Sequence, residues 1–511
     1  MTALAGLDDI DTVFPDFVHA LDAAIRAGRT IQVRHKAVRA TLAVVAGAYQ
    51  TGLLSYFINR DLFPSLVQDT EDQKLLLGPF VLLGMLVNYN KFEFQNPYQL
   101  RVADYINDNV MKKLGNGLEQ VFVTSRNQYL VLQPDQDEPW SVGSAFSYLS
   151  LGLYKTTSTV TPTIPMDEEQ VKSALAELPP LEMAALLPLY DFINANKHFC
   201  IVFATSRADD RTSEASFASF LSLSSYTLHN AHRSNRAAMY SCLTLLILRI
   251  MVEDPAVAKA LCSPENAVSV RLCRQRQPLL PIVHGERAPA AVLLDVAADG
   301  VNHNLRRRLD TQLYVLLLGL QLRLITYLGR SRTRLSYHWA ELWRSLLSFV
   351  RFMNQYADTL KALPDIDQVA ALLTRVLALS LSTGENFLPD AKSYDDLFYK
   401  VFESGNVLVK FRDAFGIARG AGAGGISVLI NVSRHYSALL EEQKGKGNKN
   451  ISPREVTKLI KQGYDSLSIQ STEGLDHWDI YREADYRNLM KRLTRTVVQD
   501  GRGLLTMARK S

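Results

Sequence analysis

The sequence predicts an all-α protein, an armadillo/HEAT-like α-solenoid of stacked helical hairpins with long loops. Three observations carry that prediction. Apolar residues recur at helical spacing along most of the 511 residues, as at Leu313, Leu316, Leu317, Leu320 and Leu324. Sustained period-two alternation between hairpin turns is absent, so strands are not expected. Near the N-terminus three helix-sized segments fall within ~40–47 residues, the armadillo/HEAT period. A unit of that size cannot hide its apolar face alone, so neighbours must stack.

Taken in order, residues 1–132 read as armadillo-like repeats. Arg34 to Val45 forms an amphipathic helix with a charged leading edge, broken at Gly52. Asn59 to Asp61 caps a short helix carrying Leu62, Phe63 and Leu66, and Asp72 to Lys74 opens an apolar helix that runs to Tyr89. Residues 133–169 read as a linker with two polar loops, 134–139 and 156–165. Between them lies the uncharged segment 140–154. It places Val142, Phe146, Leu149 and Leu153 on one helical face, beside Trp140 and opposite Ser141, Gly143, Ser144 and Ser147. Large apolar groups opposite a Ser/Gly face suit contact with a membrane surface; docking across the solenoid is the other reading.

Residues 170–260 resume helical repeats, interrupted at Pro179 and Pro180. Residues 261–300 carry Arg271, Arg274, Arg276 and Arg287 among four prolines, and are expected to form an exposed basic loop between two halves. Residues 301–511 form a C-terminal helical domain. There Asp365 is the expected N-cap of a helix over 366–381, with Gly384 as its left-handed C-terminal residue. Ser393 has capping-box spacing for a helix through Phe402. Gly416–Gly425 and Lys444–Lys449 read as loops, and Tyr464 to Met507 as terminal amphipathic helices.

Lys+Arg 56 against Asp+Glu 52 leaves a net charge of only +4, which argues against a general nucleic-acid binder. The four cysteines form no CxxC pair and suit a reducing cytosol. No basic region precedes an apolar core at the N-terminus, so no secretory signal is expected. The apolar stretch 313–328 contains Gln321 and Arg323 and reads as a buried helix. A membrane-integral protein anchored through 313–328 is the alternative.

Catalytic signatures are missing, and the chain reads as a non-enzyme without metal or cofactor. Gly420–Gly425 matches GxGxxG formally but lacks a preceding strand. His229 and His232 could share a helical face, yet zinc needs further ligands that no nearby motif supplies. The local charge is more telling: residues 301–351 hold nine Arg and two acids, Asp310 and Glu341. Arg330, Arg332 and Arg334, followed by Tyr337, Trp339 and Trp343, are candidate partner-binding residues for an acidic segment or anionic headgroups. A solvated turn above a pair of core tryptophans is the plainer reading.

Several stretches resemble the armadillo-like helical domain-containing protein 3 family: LVNYNKFEFQNPY from Leu86 to Tyr98, RLSYHWAELW from Arg334 to Trp343, FLP at Phe387–Pro389, SYDDL at Ser393–Leu397 and GLD at Gly474–Asp476. The resemblance runs from about His35 to the C-terminus. It implies a cytoplasmic, Golgi-associated scaffold without catalysis, attached peripherally to the Golgi membrane. Its implied partners are phosphatidylinositol 4-kinase type III beta and the large Arf exchange factor of the early Golgi, in Golgi maintenance and secretion. Family members carry a further N-terminal helical region, so the chain is expected to be truncated there, beginning inside that region.

Overall fold

The computed structural model describes residues 10–69, 76–136, 167–208, 213–417, 419, 422–445 and 474–507. Among these the regular structure is helical, and the only β feature is an isolated bridge between Val268 and Arg287. Two layers of helices wind along the molecule. The inner layer is Ile31–Ala48, Leu77–Val87, Leu186–Ala195, Asn235–Glu253, Thr311–Ser331, Ile366–Phe387 and Ala423–Gly445, each packed on the next. Asp108–Leu132, Ser216–His229, Pro289–His303, Trp339–Gln355 and Ala391–Glu403 pack in succession as an outer layer. The fold is the armadillo-like α-solenoid that the periodicity predicts.

Short polar side chains start these helices. Asn96, Asn107, Asn196, Ser234, Asp254 and Asp310 each accept a hydrogen bond from a first-turn backbone N–H that would otherwise lack a partner. The inner helices are apolar nearly all round because they are covered nearly all round. In Leu77–Val87 every residue from Phe80 to Val87 is buried. Gly84 lets that helix approach its neighbour closely, since a Cβ there would lie 2.6 Å from Pro188 Cδ.

Among the described residues, three helices have the length and composition to cross a membrane: Asn235–Glu253, Thr311–Ser331 and Ile366–Phe387. All three belong to the inner layer, and most of each apolar window is buried inside the fold. The stretch 313–328 therefore sits here as a core helix.

The structure departs from the sequence reading at several places. Helix Ile366–Phe387 runs through Gly384, where a Cβ would lie 2.8 Å from the Tyr394 ring, so this glycine serves packing and not termination. Asp365 adopts the left-handed conformation and its side chain makes no cap bond. Asp390, not Ser393, caps the next helix, accepting from Ser393 N at 2.7 Å. The segment 261–300 is an irregular loop only in part: residues 281–286 are exposed, as expected, but the remainder is not free. Pro289–His303 is a buried helix, and the irregular part before it is pinned to the fold. Gln275, 1% exposed, donates to the carbonyls of Tyr129 and Gln133 at the end of helix Asp108–Leu132. Cys273 N donates to Ser225 Oγ, and Arg271 and Arg287 pair with Asp135 and Asp295. The arginines that made this segment look solvated are spent on internal partners. The candidate membrane residues Trp140, Val142, Phe146, Leu149 and Leu153 lie outside the described residues.

From Gly474 the chain turns back. Residues 474–486 cross the inner faces of Ile366–Phe387, Thr311–Ser331 and Asn235–Glu253. Helix Arg487–Met507 then packs on Asn235–Glu253, Leu186–Ala195, Leu77–Val87 and Ile31–Ala48. Arg502 Nε donates to Ala46 O at 2.9 Å, which ties the last described helix to the second.

Candidate functional site

The returning segment 474–486 lies in a groove built from the inner helices. Helices Asn235–Glu253, Thr311–Ser331 and Ile366–Phe387 each set an arginine in an otherwise apolar middle or last turn: Arg249, Arg323 and Arg375. Stacking brings the three into one row. Arg249 and Arg323 both donate to the Asp479 carbonyl at 2.8 Å. Arg375 donates to the carbonyls of Gly474, at 3.2 Å, Leu475 and His477. A guanidinium presents its donors in a planar fork, which suits main-chain carbonyls irrespective of side chain.

Side chains add selectivity. Arg323 stands over the Trp478 ring at 4.8 Å, and Arg249 over the rings of Tyr481 and Tyr486 at 5.4 and 5.6 Å. Glu253 accepts from both arginines at 2.6 Å and, through its other oxygen, from Tyr481 N. Further along, Glu483 is held by Lys91 at 2.6 Å and accepts from Tyr190 Oη at 2.8 Å. Burial and the Glu483 charge push the Tyr190 hydroxyl well above its ordinary range, so it remains a donor. Burial, reinforced by Arg249, lowers Arg323 to about 10. A cavity of about 1040 Å³ continues beside the segment, lined in part by Gln312, Val315, Gln368, Leu372, Phe415 and Trp478. The arrangement can hold a chain by its backbone.

The residues singled out from sequence are placed differently. Trp339 and Trp343 are 1% and 0% exposed, stacked on each other at 5.4 Å, with Phe387 packed on Trp339. They are core and do not meet a partner directly, because apolar rings of this size gain most by burial. Tyr337 is half-buried, its ring 5.1 Å from that of Trp339. Arg330, Arg332 and Arg334 are exposed, yet two are already engaged. Arg330 pairs with Asp476 at 2.7 Å, and Arg334 donates to the carbonyls of Leu388 and Pro389. The sequence blocks that carry the resemblance thus bind one another: RLSYHWAELW against FLP, and its leading arginine turn against GLD. The groove itself was missed. Its available signal was a cation inside each long apolar helix, of which only Arg323 was noticed.

His232 does not complete a metal site with His229. Instead His229 Nδ1 lies 3.1 Å from Asp299, as does His303 Nε2, all three buried. Arg276 Nε donates to His229 Nε2 at 3.0 Å, which fixes the proton on Nδ1 and leaves that nitrogen a donor to Asp299, not a metal ligand. His303 Nε2 also lies 3.1 Å from the Pro278 carbonyl. The cluster fastens the irregular segment to helices Ser216–His229 and Pro289–His303. The four cysteines are buried, and burial raises Cys200 and Cys262 to about 12, so they are poor nucleophiles.

The family model described as armadillo-like helical domain-containing protein 3, C-terminal, matches residues 287–503, beginning where the irregular segment ends. Proteins of that name from Homo sapiens and Danio rerio are 21% and 22% identical over 543 residues, covering 94% of this chain and 76% of each relative. A UPF0588 membrane protein of Schizosaccharomyces pombe is 25% identical over 494 residues, covering 96% of this chain and 78% of the relative. Among solved structures, a Kap95:Nup1 complex aligns over 96% of this chain and 69% of that one at 12% identity. With a TM-score of 0.21 that likeness carries nothing further.

Proposed function

This chain belongs to the armadillo-like helical domain-containing protein 3 family, and from that premise we propose that it is a non-enzymatic scaffold acting at the Golgi membrane surface. In this reading it holds phosphatidylinositol 4-kinase type III beta, together with a large Arf exchange factor, in support of Golgi maintenance and secretion. The single observation that supports a holding role is the inner groove, where arginines from consecutive repeats grip a segment of turn and irregular backbone by its carbonyls. Such a surface suits binding and offers no turnover chemistry.

Attachment is peripheral in this reading. The apolar helices that could span a bilayer are mostly buried inside the fold. Membrane contact in this reading falls to 140–154, with Trp140, Val142, Phe146, Leu149 and Leu153, on the strength of its apolar face opposite Ser and Gly. Arg332, whose exposed side chain makes no hydrogen bond or ion pair among the described residues, is the member of the arginine turn best placed to meet an acidic partner. Purified chain is expected to retain the kinase in a pull-down at low and moderate salt; no association would overturn the kinase reading. Alkaline carbonate is expected to strip the chain from Golgi membranes, whereas retention would favour insertion through 313–328.

A further inference from the structure

We propose that the inner groove is a docking site for a peptide of a partner protein, carrying an aromatic residue, a second aromatic three positions later and a carboxylate two positions beyond that. The chain's own segment shows what the groove reads. Trp478 lies under Arg323, Tyr481 under Arg249, and Glu483 between Lys91 and Tyr190. The intervening residues turn away: Ile480 is 72% exposed, and the side chains of His477 and Asp479 are 77% and 93% exposed. These three side chains, the buried Leu475 and a row of gripped carbonyls are a recognition pattern that any chain of the same sequence chemistry satisfies.

The resident segment is held in a way that permits exchange. Of residues 474–483 only Leu475 is buried, and the remaining anchors are polar or ring contacts: the guanidinium bonds, the Tyr481 N bond to Glu253, the Glu483 contacts with Lys91 and Tyr190, and the exposed Arg330–Asp476 pair. Helix Arg487–Met507, which follows, is fixed independently by the burial of Leu489, Met490, Leu493 and Val497. Release of 474–483 therefore leaves the solenoid and its last helix intact. The cavity of about 1040 Å³ alongside gives an incoming chain a place to start. This inference rests on the scaffold reading but not on the identity of the kinase.

The test uses a fluorescent peptide with the sequence of residues 474–486 and the full chain. The double variant Trp478→Ala/Tyr481→Ala weakens the resident segment and is expected to bind the peptide at least tenfold more tightly than the unaltered chain. Adding Arg323→Ala should abolish the gain, and a peptide lacking both aromatics should not bind. Failure of a well-folded double variant to bind, or equal binding to all variants, overturns the proposal. A second measurement needs no variant. Saturating peptide should accelerate hydrogen exchange at amides 474–483 of the unaltered chain and leave 487–507 unchanged; no acceleration there overturns it too. Neither readout involves the kinase, so a failed pull-down and a failed peptide assay remain separate results.

Discussion

Asp500 is 4% exposed, and its Oδ2 faces Arg236 at 2.7 Å and the Tyr240 hydroxyl at 2.5 Å. Replacing it with Ala leaves a largely buried guanidinium without its counter-charge. Breaking such a pair costs about 3 kcal/mol, far more than an exposed pair such as Arg330–Asp476 could. Asp500→Ala should show that loss in chemical denaturation, whereas Arg330→Ala should change stability little. His232 gives a pH prediction. Burial first, then the charges of Arg276, Arg306 and Arg233, lower its pKa from 6.5 to about 3. A histidine depressed in the fold stabilises the native state above its unfolded pKa, and that contribution is lost as pH falls below about 6.5 toward 3. His232→Asn should therefore flatten the fall in melting temperature between pH 7 and 5. His229, also lowered by burial, keeps the remainder of the slope.

Among elements, most of the fold was legible in the sequence, because covered helices announce themselves by unbroken apolar composition. Helix ends were less legible. Asp390 and Ser393 both precede an apolar run at cap-compatible spacing, and only the backbone decides that Asp390 accepts and Ser393 donates. Asp390→Ala should lower the unfolding midpoint and Ser393→Ala should not. The cap carboxyl is held below its usual range by the Ser393 backbone N–H, so the difference between the variants should vanish as pH falls through that lowered value. The candidate site was barely legible. Arg249, Arg323 and Arg375 are separated by more than fifty residues each, and nothing in their local sequence says that stacking aligns them. Trp339 and Trp343 misled for the opposite reason: four apart beside a run of arginines they resemble a contact platform, yet neighbouring helices claim both rings.

At the scale of the molecule, the last described helix covers the inner faces of the early repeats. Leu489, Met490, Leu493 and Val497 are all buried there. Each such side chain contributes about 1.5–3 kcal/mol on burial, so together they rival the stability of a typical domain. Deleting residues 487–507 should expose the apolar inner surface around Leu42, Val81 and Met85, and so produce dye binding and self-association in size-exclusion chromatography. The solenoid is thus not a sum of independent repeats, whose stability would respond only to nearest neighbours. A destabilising change in Ile31–Ala48 should also loosen Arg487–Met507, as hydrogen exchange would register.

The bond between Arg502 and Ala46 joins residues 456 positions apart. At ribosomal speeds of about 5–20 residues per second, roughly half a minute or more separates the synthesis of its two ends. Throughout that interval the early repeats lack the helix that covers their apolar inner flank. Their dependence on chaperones should accordingly peak before residues 487–507 are made, and a stop codon at position 487 should act as a folding lesion of the early repeats.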